Sequence, residues 1–267
     1  MKNKIKRFIC GFLYCISEVL FKGKHNKNKG KTRILVFHHI DHPKRFDKAL
    51  EKISSRYNLI SWDDYLNGNL SKSRVNVIIS LDDGYESWFT HGLPVFIKYN
   101  VKPILSINSD FIGLDEGESF HYCQNHINTW GEKSLSWEQL IELKKHGSTI
   151  FSHSHYHTDM KDPNIELSFK RDAILKDKVK IIEKINVDVS GFTYPYGCYS
   201  DLSVTLVGEL GFKYALTSDS NFLSSGQFPL LIGRTNVGMR HWIVVFSYIE
   251  GWSERLTNCM FKIRRIF

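Results

Sequence analysis

No Cys-x-x-Cys pair occurs in this 267-residue chain, and its five cysteines (Cys10, Cys15, Cys123, Cys198, Cys259) are odd in number and scattered. That argues against a disulfide framework, and reduced thiols in a cytoplasmic setting are expected. A bilayer-spanning run is also lacking. The amino-terminal apolar stretch is short, and Glu18 interrupts it. No small-residue A-x-A site follows, as a cleaved signal peptide would require. There is no internal repeat, and no low-complexity tract beyond the Lys/Asn stretch at 22–31. The body of the chain lacks net positive charge as well. The formal charge is +8, but residues 1–33 carry ten Lys or Arg against Glu18 alone, or +9, which leaves −1 for the rest. A nucleic-acid module would want its basic stripe on the folded domain, so that class is disfavoured.

What is present is ordinary globular material, 42% hydrophobic and 24% charged, enough for one large α/β domain or two small ones. At the amino terminus Ile5, Phe8, Ile9, Phe12, Leu13, Ile16, Val19 and Leu20 follow helical spacing behind Lys2, Lys4, Lys6 and Arg7. This reads as an amphipathic helix lying in a membrane interface, with self-packing as the alternative. The carboxyl end repeats the character: Leu256, Cys259, Met260 and Ile263 share a helical face beside Arg255, Lys262, Arg264 and Arg265. The expected organisation is a basic amphipathic segment over 1–32, a domain over 33–250, and a basic amphipathic tail over 251–267.

Between these ends strand and helix alternate. Strands are expected at 33–37, 75–81, 101–107, 148–152, 190–194, 213–217 and 230–233. Helices are expected near 44–56, 87–99, 136–146, 164–186 and 201–210. Ser136 and Gln139 form a capping-box pair at the third of these helices. Residues 113–135 read as a long loop. The alternation predicts a parallel α/β sheet or barrel.

Three short segments carry chemistry. Val75–Ile79 is a β-branched run that ends in Ser80-Leu81-Asp82-Asp83-Gly84. Two carboxylates at the carboxyl end of a buried strand are costly in the fold and well placed for catalysis. Side chains alternate along a strand, so one can hold a metal while the other handles a proton. The strand at 148–152 runs into His153-Ser154-His155-Tyr156-His157. A helical or turn-like rise puts His153 and His157 on one face. Two imidazoles and one carboxylate, with Asp83 the natural third, make a set for zinc or another transition metal. His155 is expected to point away. The third segment, Gly191-Phe192-Thr193-Tyr194-Pro195-Tyr196-Gly197, is either a plain turn or a rigid corner that aims a backbone N–H at an oxyanion.

Together these segments resemble the polysaccharide deacetylases, the NodB-homology or carbohydrate esterase 4 family, in its Tyr-Pro-Tyr-Gly branch. The family's Thr-Phe-Asp-Asp-Gly stands here as Ser80–Gly84. Its His-Ser/Thr-x-x-His stands as His153–His157, and its Arg-x-Pro-Tyr-Gly as Thr193–Gly197. The likeness covers about 33–240. It implies a distorted barrel of about seven β/α units with the site at the strands' carboxyl ends. It also implies a divalent metal, usually zinc, on Asp83, His153 and His157, with Asp82 as general base and the Tyr196 backbone N–H at the oxyanion. The implied reaction removes an N-acetyl group from an amino sugar, in bacterial surface polysaccharide or glycolipid assembly. Oligomeric, lipid-linked and nucleotide-linked sugars are all open as substrates, met in the cytoplasm or at the inner face of the cytoplasmic membrane.

Two departures stand out. Thr193 replaces the arginine that orients the base in relatives; Arg234 is the candidate substitute, with an ordinary surface arginine as the alternative. The late Leu-x-His-Asp motif that supplies the acid is absent. His38 or His39 at the end of the first strand could face the same site, with a structural histidine as the alternative, and Asp219 is another polar strand-end residue to which no role is assigned. Two alternatives to the deacetylase follow: a degenerate glycan-binding protein of the same fold, and a deacylase of a non-sugar amide.

Overall fold

The computed structural model describes residues 2–21, 27–224, 226–238 and 240–264. Part of the Lys/Asn stretch and Arg265 lie outside these residues. Helix α1 (Lys2–Phe21) precedes strand β1 (Thr32–Phe37), α2 (Pro43–Arg56), the two-residue β2 (Asn58–Leu59), α3 (Trp62–Leu66) and β3 (Asn76–Asp83). There follow α4 (Leu93–Tyr99), β4 (Ile104–Ile107), α5 (Glu116–Tyr122), α6 (Trp137–Lys145), β5 (Thr149–Ser152) and α7 (Leu167–Ile185). The chain continues through β6 (Gly191–Thr193), α8 (Asp201–Glu209), β7 (Tyr214–Leu216), β8 (Thr235–Asn236), α9 (Trp242–Ile249) and α10 (Trp252–Arg264).

All paired strands run parallel, in the order β7-β6-β5-β4-β3-β1-β8, with β2 beside the start of β3. The sheet curls into a distorted barrel of seven strands. Ile232 bridges to Leu216 of β7, and Thr235–Asn236 pairs with β1, so one short segment joins the two ends of the curl.

Alternation along the strands sorts residues to two faces. Leu35, Phe37, Val77, Ile79, Leu81, Leu105 and Ile107 face outward into the main core under the helices. Ile34, Ile78, Ile104, Phe151, Leu216 and Ile232 form a second apolar cluster inside the curl, plugged by Trp62 of α3. Two residues further along the same faces the character turns polar: Ser80 follows Ile78, Ser106 follows Ile104, His153 follows Phe151, and Arg234 follows Ile232. The interior is thus an apolar floor below a polar rim, and the rim is where chemistry can sit. Gly191 is fixed by this floor, because a Cβ there would lie 2.2 Å from the Phe151 ring.

Three local expectations are corrected. Residues 113–135 are not all loop. Asp115 caps α5 in a reciprocal box with Glu118, and a π-helical turn Cys123–Ile127 follows. The expected helix over 87–99 is a π-helical turn, Trp88–Gly92, joined to α4. The strand expected at 230–233 is only a bridge from Ile232 to Leu216 of β7, and pairing to β1 begins at Thr235.

Helix α1 packs on α9 through Cys10, Gly11 and Tyr14, the last edge-on to Phe246 at 6.2 Å. Glu18 makes a two-pronged ion pair with Arg56 at the end of α2. The opposite face of α1 leaves Ile5, Phe8, Phe12 and Ile16 exposed. No helix among the described residues is long and apolar enough to cross a membrane.

Candidate active site

Strand β3 extends through Asp82 and Asp83, so both carboxylates leave its last two residues, and both are buried. Asp83 sits at φ 91°, a left-handed value that is strained for a residue with a Cβ. Gly84 continues at φ 118°, and a Cβ there would stand 2.4 Å from Ile112. The kink separates the two acids. Asp82 points to the barrel interior, while Asp83 turns toward the histidine loop.

The Tyr85 hydroxyl donates to Asp83 Oδ2 at 2.8 Å. Asp83 Oδ1 then faces His153 Nε2 at 3.7 Å and His157 Nε2 at 3.5 Å. Each imidazole is oriented by its other nitrogen. His153 Nδ1 lies 2.7 Å from the Thr193 carbonyl, and His157 Nδ1 lies 3.0 Å from the His126 carbonyl. A carbonyl only accepts, so both Nδ1 atoms carry a proton and both Nε2 atoms are turned toward Asp83. Burial pushes the His153 pKa down to about 4, against the pull of Asp82 and Asp83, so the ring is neutral near pH 7.

These three side chains form the one cluster of metal-ligating type among the described residues, with ligand atoms within 4.8 Å of one another. Atoms about 2.1 Å from one tetrahedral ion stand about 3.4 Å apart, close to the distances found here. Imidazoles each held by a second partner through Nδ1, with a carboxylate that keeps one oxygen toward both rings, make a donor set suited to such an ion.

The loop carrying the histidines is not helical. Ser154 and His157 adopt φ of 68° and 51°. Asn108 pins it by donating to the carbonyls of His153 and Ser154, each at 2.7 Å. From beneath, Asp177 of α7 accepts from Ser109 N–H, Ser152 Oγ–H and His153 N–H at 2.7, 2.5 and 3.1 Å. Burial pushes the Asp177 carboxyl up to about 6, even though these donors pull it down. His155 turns away from the cluster, to Ser109 Oγ at 2.7 Å. Among the described residues seven non-glycines have positive φ. Three are asparagines at helix ends, where that conformation is common, and the other four (Asp83, Ser154, His157, Tyr196) all border this site. Strain concentrated in this way is a mark of function.

Arg234 reaches Asp82 from across the barrel. Its Nη1 and Nη2 donate to the two carboxylate oxygens at 2.6 and 2.8 Å, its Nη1 also to Ser80 Oγ, and its Nε to the Thr217 carbonyl. Burial raises the Asp82 pKa, but the charge and hydrogen bonds of Arg234, with His153 and His38, outweigh it. The net result lies below the ordinary carboxylate range. Thr193 occupies the position where the motif has arginine. Its side chain pairs with Ser106, and its carbonyl serves His153.

Tyr196 stands at φ 59° with its ring 4.4 Å from that of His157 and its hydroxyl on the His126 carbonyl. Gly197 beside it admits no Cβ, which would fall 2.0 Å from Ser218 Oγ. The two acids, the two histidines and Tyr196 open into a cavity of about 260 Å³ that His38 and Asn236 also line. His39 lies outside it, near Asp41 and Glu132. Asp219 accepts from Tyr199 and Thr217 and does not line the cavity.

Sequence reasoning missed Tyr85, Asn108 and Asp177. Asp177 did leave a signal: it interrupts the buried stripe Ala173, Ile174, Ile181, Ile185 of α7. A carboxylate on an apolar stripe needs partners.

A metal-type triad beside an arginine-held carboxylate thus stands at the carboxyl mouth of the parallel barrel, the end where such barrels carry their sites. The polysaccharide deacetylase family model matches residues 70–215, and the chain belongs to that family. YxkH of Bacillus subtilis, a protein named for the same family, is 23% identical over 162 residues, 60% of this chain and 51% of its own. The chain thus spans about half the length of that relative. IcaB of Ammonifex degensii superposes with a TM-score of 0.67 at 18% identity, over 83% of this chain and 98% of its own. The Streptococcus pyogenes deacetylase PplD, solved with acetate, superposes at 0.63 and 19%, over 78% and 92%. At these identities the structural likeness is one of fold.

Proposed function

We propose that this chain is a metal-dependent hydrolase that removes an N-acetyl group from an amino sugar. One observation carries the reading: the adjacent carboxylates are split, Asp83 to two imidazoles and Asp82 to a buried arginine, on one small cavity. Asp83, His153 and His157 would hold the ion, with zinc the first choice for this donor set. Bound there, it would polarise the acetamide carbonyl and lower the pKa of water. Asp82 keeps free lone pairs toward the cavity and accepts the proton of the attacking water. Arg234 fixes the direction of that carboxylate and keeps it ionised. The turn at Tyr196 supplies a backbone N–H to the oxygen where negative charge develops. His38, the remaining imidazole on the cavity, returns a proton to the departing amine. A neighbouring groove of about 540 Å³ shares His157 and Tyr196 with the cavity and adds the rings of Tyr156 and Phe169, surfaces on which further sugar rings can lie.

The test is acetate release from a panel of oligomeric, lipid-linked and nucleotide-linked N-acetyl sugars. Asp82→Asn should abolish release while keeping the metal. If no sugar yields acetate but one binds, the chain is a glycan-binding protein of the same fold. Release from simple amides alone would make it a non-sugar deacylase.

We also infer that the protein works at a membrane surface in the cytoplasm, in surface-glycan assembly. The support is the face of α1 that the fold leaves uncovered, Ile5, Phe8, Phe12 and Ile16, within a segment that holds the chain's excess positive charge.

A further inference from the structure

Outside the catalytic cavity, a second cavity of about 470 Å³ is lined by Lys44, Arg45, Lys48, Ala49, Arg240, His241 and Trp242. Three cations come from the first turns of α2 and one from the loop before α9. No acidic side chain lines it. The nearby acids are engaged elsewhere: Asp47 accepts from Lys98 and Tyr99, both at 2.8 Å, and Asp41 lies beside His42 and His39. Among the described residues, Lys44, Arg45, Lys48 and Arg240 have no carboxylate partner. Arg240 is the built element. It is half-buried, lies over the Tyr248 ring at 5.4 Å, and donates through Nη1 to the Asn236 carbonyl. Burial and the nearby Arg7 charge both disfavour its cationic form, so the fold leaves a repulsion that a bound anion would relieve.

The two cavities are linked through the chain and through one hydrogen bond, from Arg240 to the carbonyl of Asn236. The β1–α2 loop begins with His38 in the catalytic cavity and leads into the first turn of α2, whose Lys44 and Arg45 line the cationic one. The β8–α9 loop begins with Asn236 in the first and ends with Arg240 and His241 in the second. Each of the two chain connections thus carries a residue of the catalytic cavity at one end and residues of the cationic cavity at the other, and Arg240 is hydrogen-bonded to the Asn236 carbonyl. Guanidinium forks suit phosphate oxygens bidentately, and lysines add point charge. An aromatic wall at Trp242 suits an apolar or planar group attached to that phosphate.

Resting on the deacetylase reading, we propose that this cavity is an anion subsite for the phosphate or diphosphate through which the N-acetyl sugar is linked to its carrier. The substrate class is then a sugar phosphate ester of a nucleotide or a polyprenol, rather than a free neutral polymer. The aromatic groove beyond Tyr196 lies beside the catalytic cavity as well and leaves room for further sugar units.

The test has a binding arm and a turnover arm, both on the full chain. Inorganic pyrophosphate is titrated calorimetrically into the metal-loaded protein and into Arg45→Glu/Lys48→Glu. These residues are exposed, so the fold should survive, and circular dichroism checks it. At least tenfold weaker binding in the variant is expected. No binding, or equal binding because the metal centre alone holds the anion, overturns the proposal. In the turnover arm, acetate release is compared for a uridine-diphosphate-linked, a prenyl-diphosphate-linked and a phosphate-free N-acetylhexosamine. The expected result is a KM rise at least tenfold larger for a phosphorylated sugar than for the free one. Whichever donor shows it names the carrier. Equal effects on all three overturn the proposal. Pyrophosphate binding lost in the variant, with no acetate from any sugar, would sink the deacetylase reading and leave the anion site standing.

Discussion

Replacing Arg234 by Leu should be among the most damaging single changes in this protein, and its cost should depend on Asp82. Both side chains are buried, joined by hydrogen bonds of 2.6 and 2.8 Å. Removing one partner of such a pair leaves an uncompensated charge and typically costs about 3–5 kcal/mol. Removing both charges costs far less, so Asp82→Asn/Arg234→Leu should recover about 2 kcal/mol or more relative to Arg234→Leu alone. The sign of the pH dependence follows. In the parent the folded Asp82 pKa is depressed, so its stabilisation is present above the unfolded carboxylate pKa and lost as pH falls. In Arg234→Leu burial dominates and the folded pKa rises, so stability is lost as pH rises. The penalty of the substitution should therefore be larger at pH 7 than at pH 4.5. Urea unfolding of the four proteins of the cycle, under chelator to keep metal out of the comparison, gives these quantities. Additive single-site costs, within about 0.5 kcal/mol, would refute the coupling.

His153→Ala should abolish stoichiometric zinc by elemental analysis, and unchanged zinc would remove His153 from the ligand set. Asp177→Ala strands three donors and should destabilise by about 3 kcal/mol or more in urea. The Asp177 pKa, raised to about 6, implies stability present below the unfolded value near 4 and lost as pH rises through 6. Asp177→Asn should flatten that fall, and an unchanged profile would contradict it. On anionic liposomes, Phe8→Glu/Phe12→Glu should cut co-sedimentation at least tenfold; unchanged binding would end the membrane proposal. Truncating α1 is a poorer probe, because Cys10 and Tyr14 are buried against α9.

The alternation of apolar runs with helical patterns makes the parallel barrel legible, because buried parallel strands need little beyond β-branched side chains. Asp82, Asp83, His153 and His157 are legible for a related reason: polar groups at strand ends are costly unless used. What stayed hidden depends on distance in the chain. Arg234 is named by the sequence only beside a surface-arginine alternative, because it meets Asp82 only when the curl brings β8 beside β1, and a two-residue strand carries no periodicity. Tyr85 and Asn108 act through a hydroxyl and an amide whose direction is set by the kink at Asp83 and by the β4 turn. The α5 helix is hard to read from sequence because the surrounding residues lack a repeating apolar face, although Asp115 and Glu118 spell a capping box. The four strained residues at the rim could not be anticipated, since none is glycine.

The central claim is that Asp83, His153 and His157 hold a metal that Asp82 needs for amide hydrolysis on a sugar. Its most direct test is acetate release from an N-acetylhexosamine donor, with the metal stripped by chelator and then restored by stoichiometric zinc. The account predicts release that vanishes on stripping, returns with zinc in the parent, and fails to return in His153→Ala or Asp82→Asn. Release that persists in fully stripped protein, or that returns in Asp82→Asn, would contradict it.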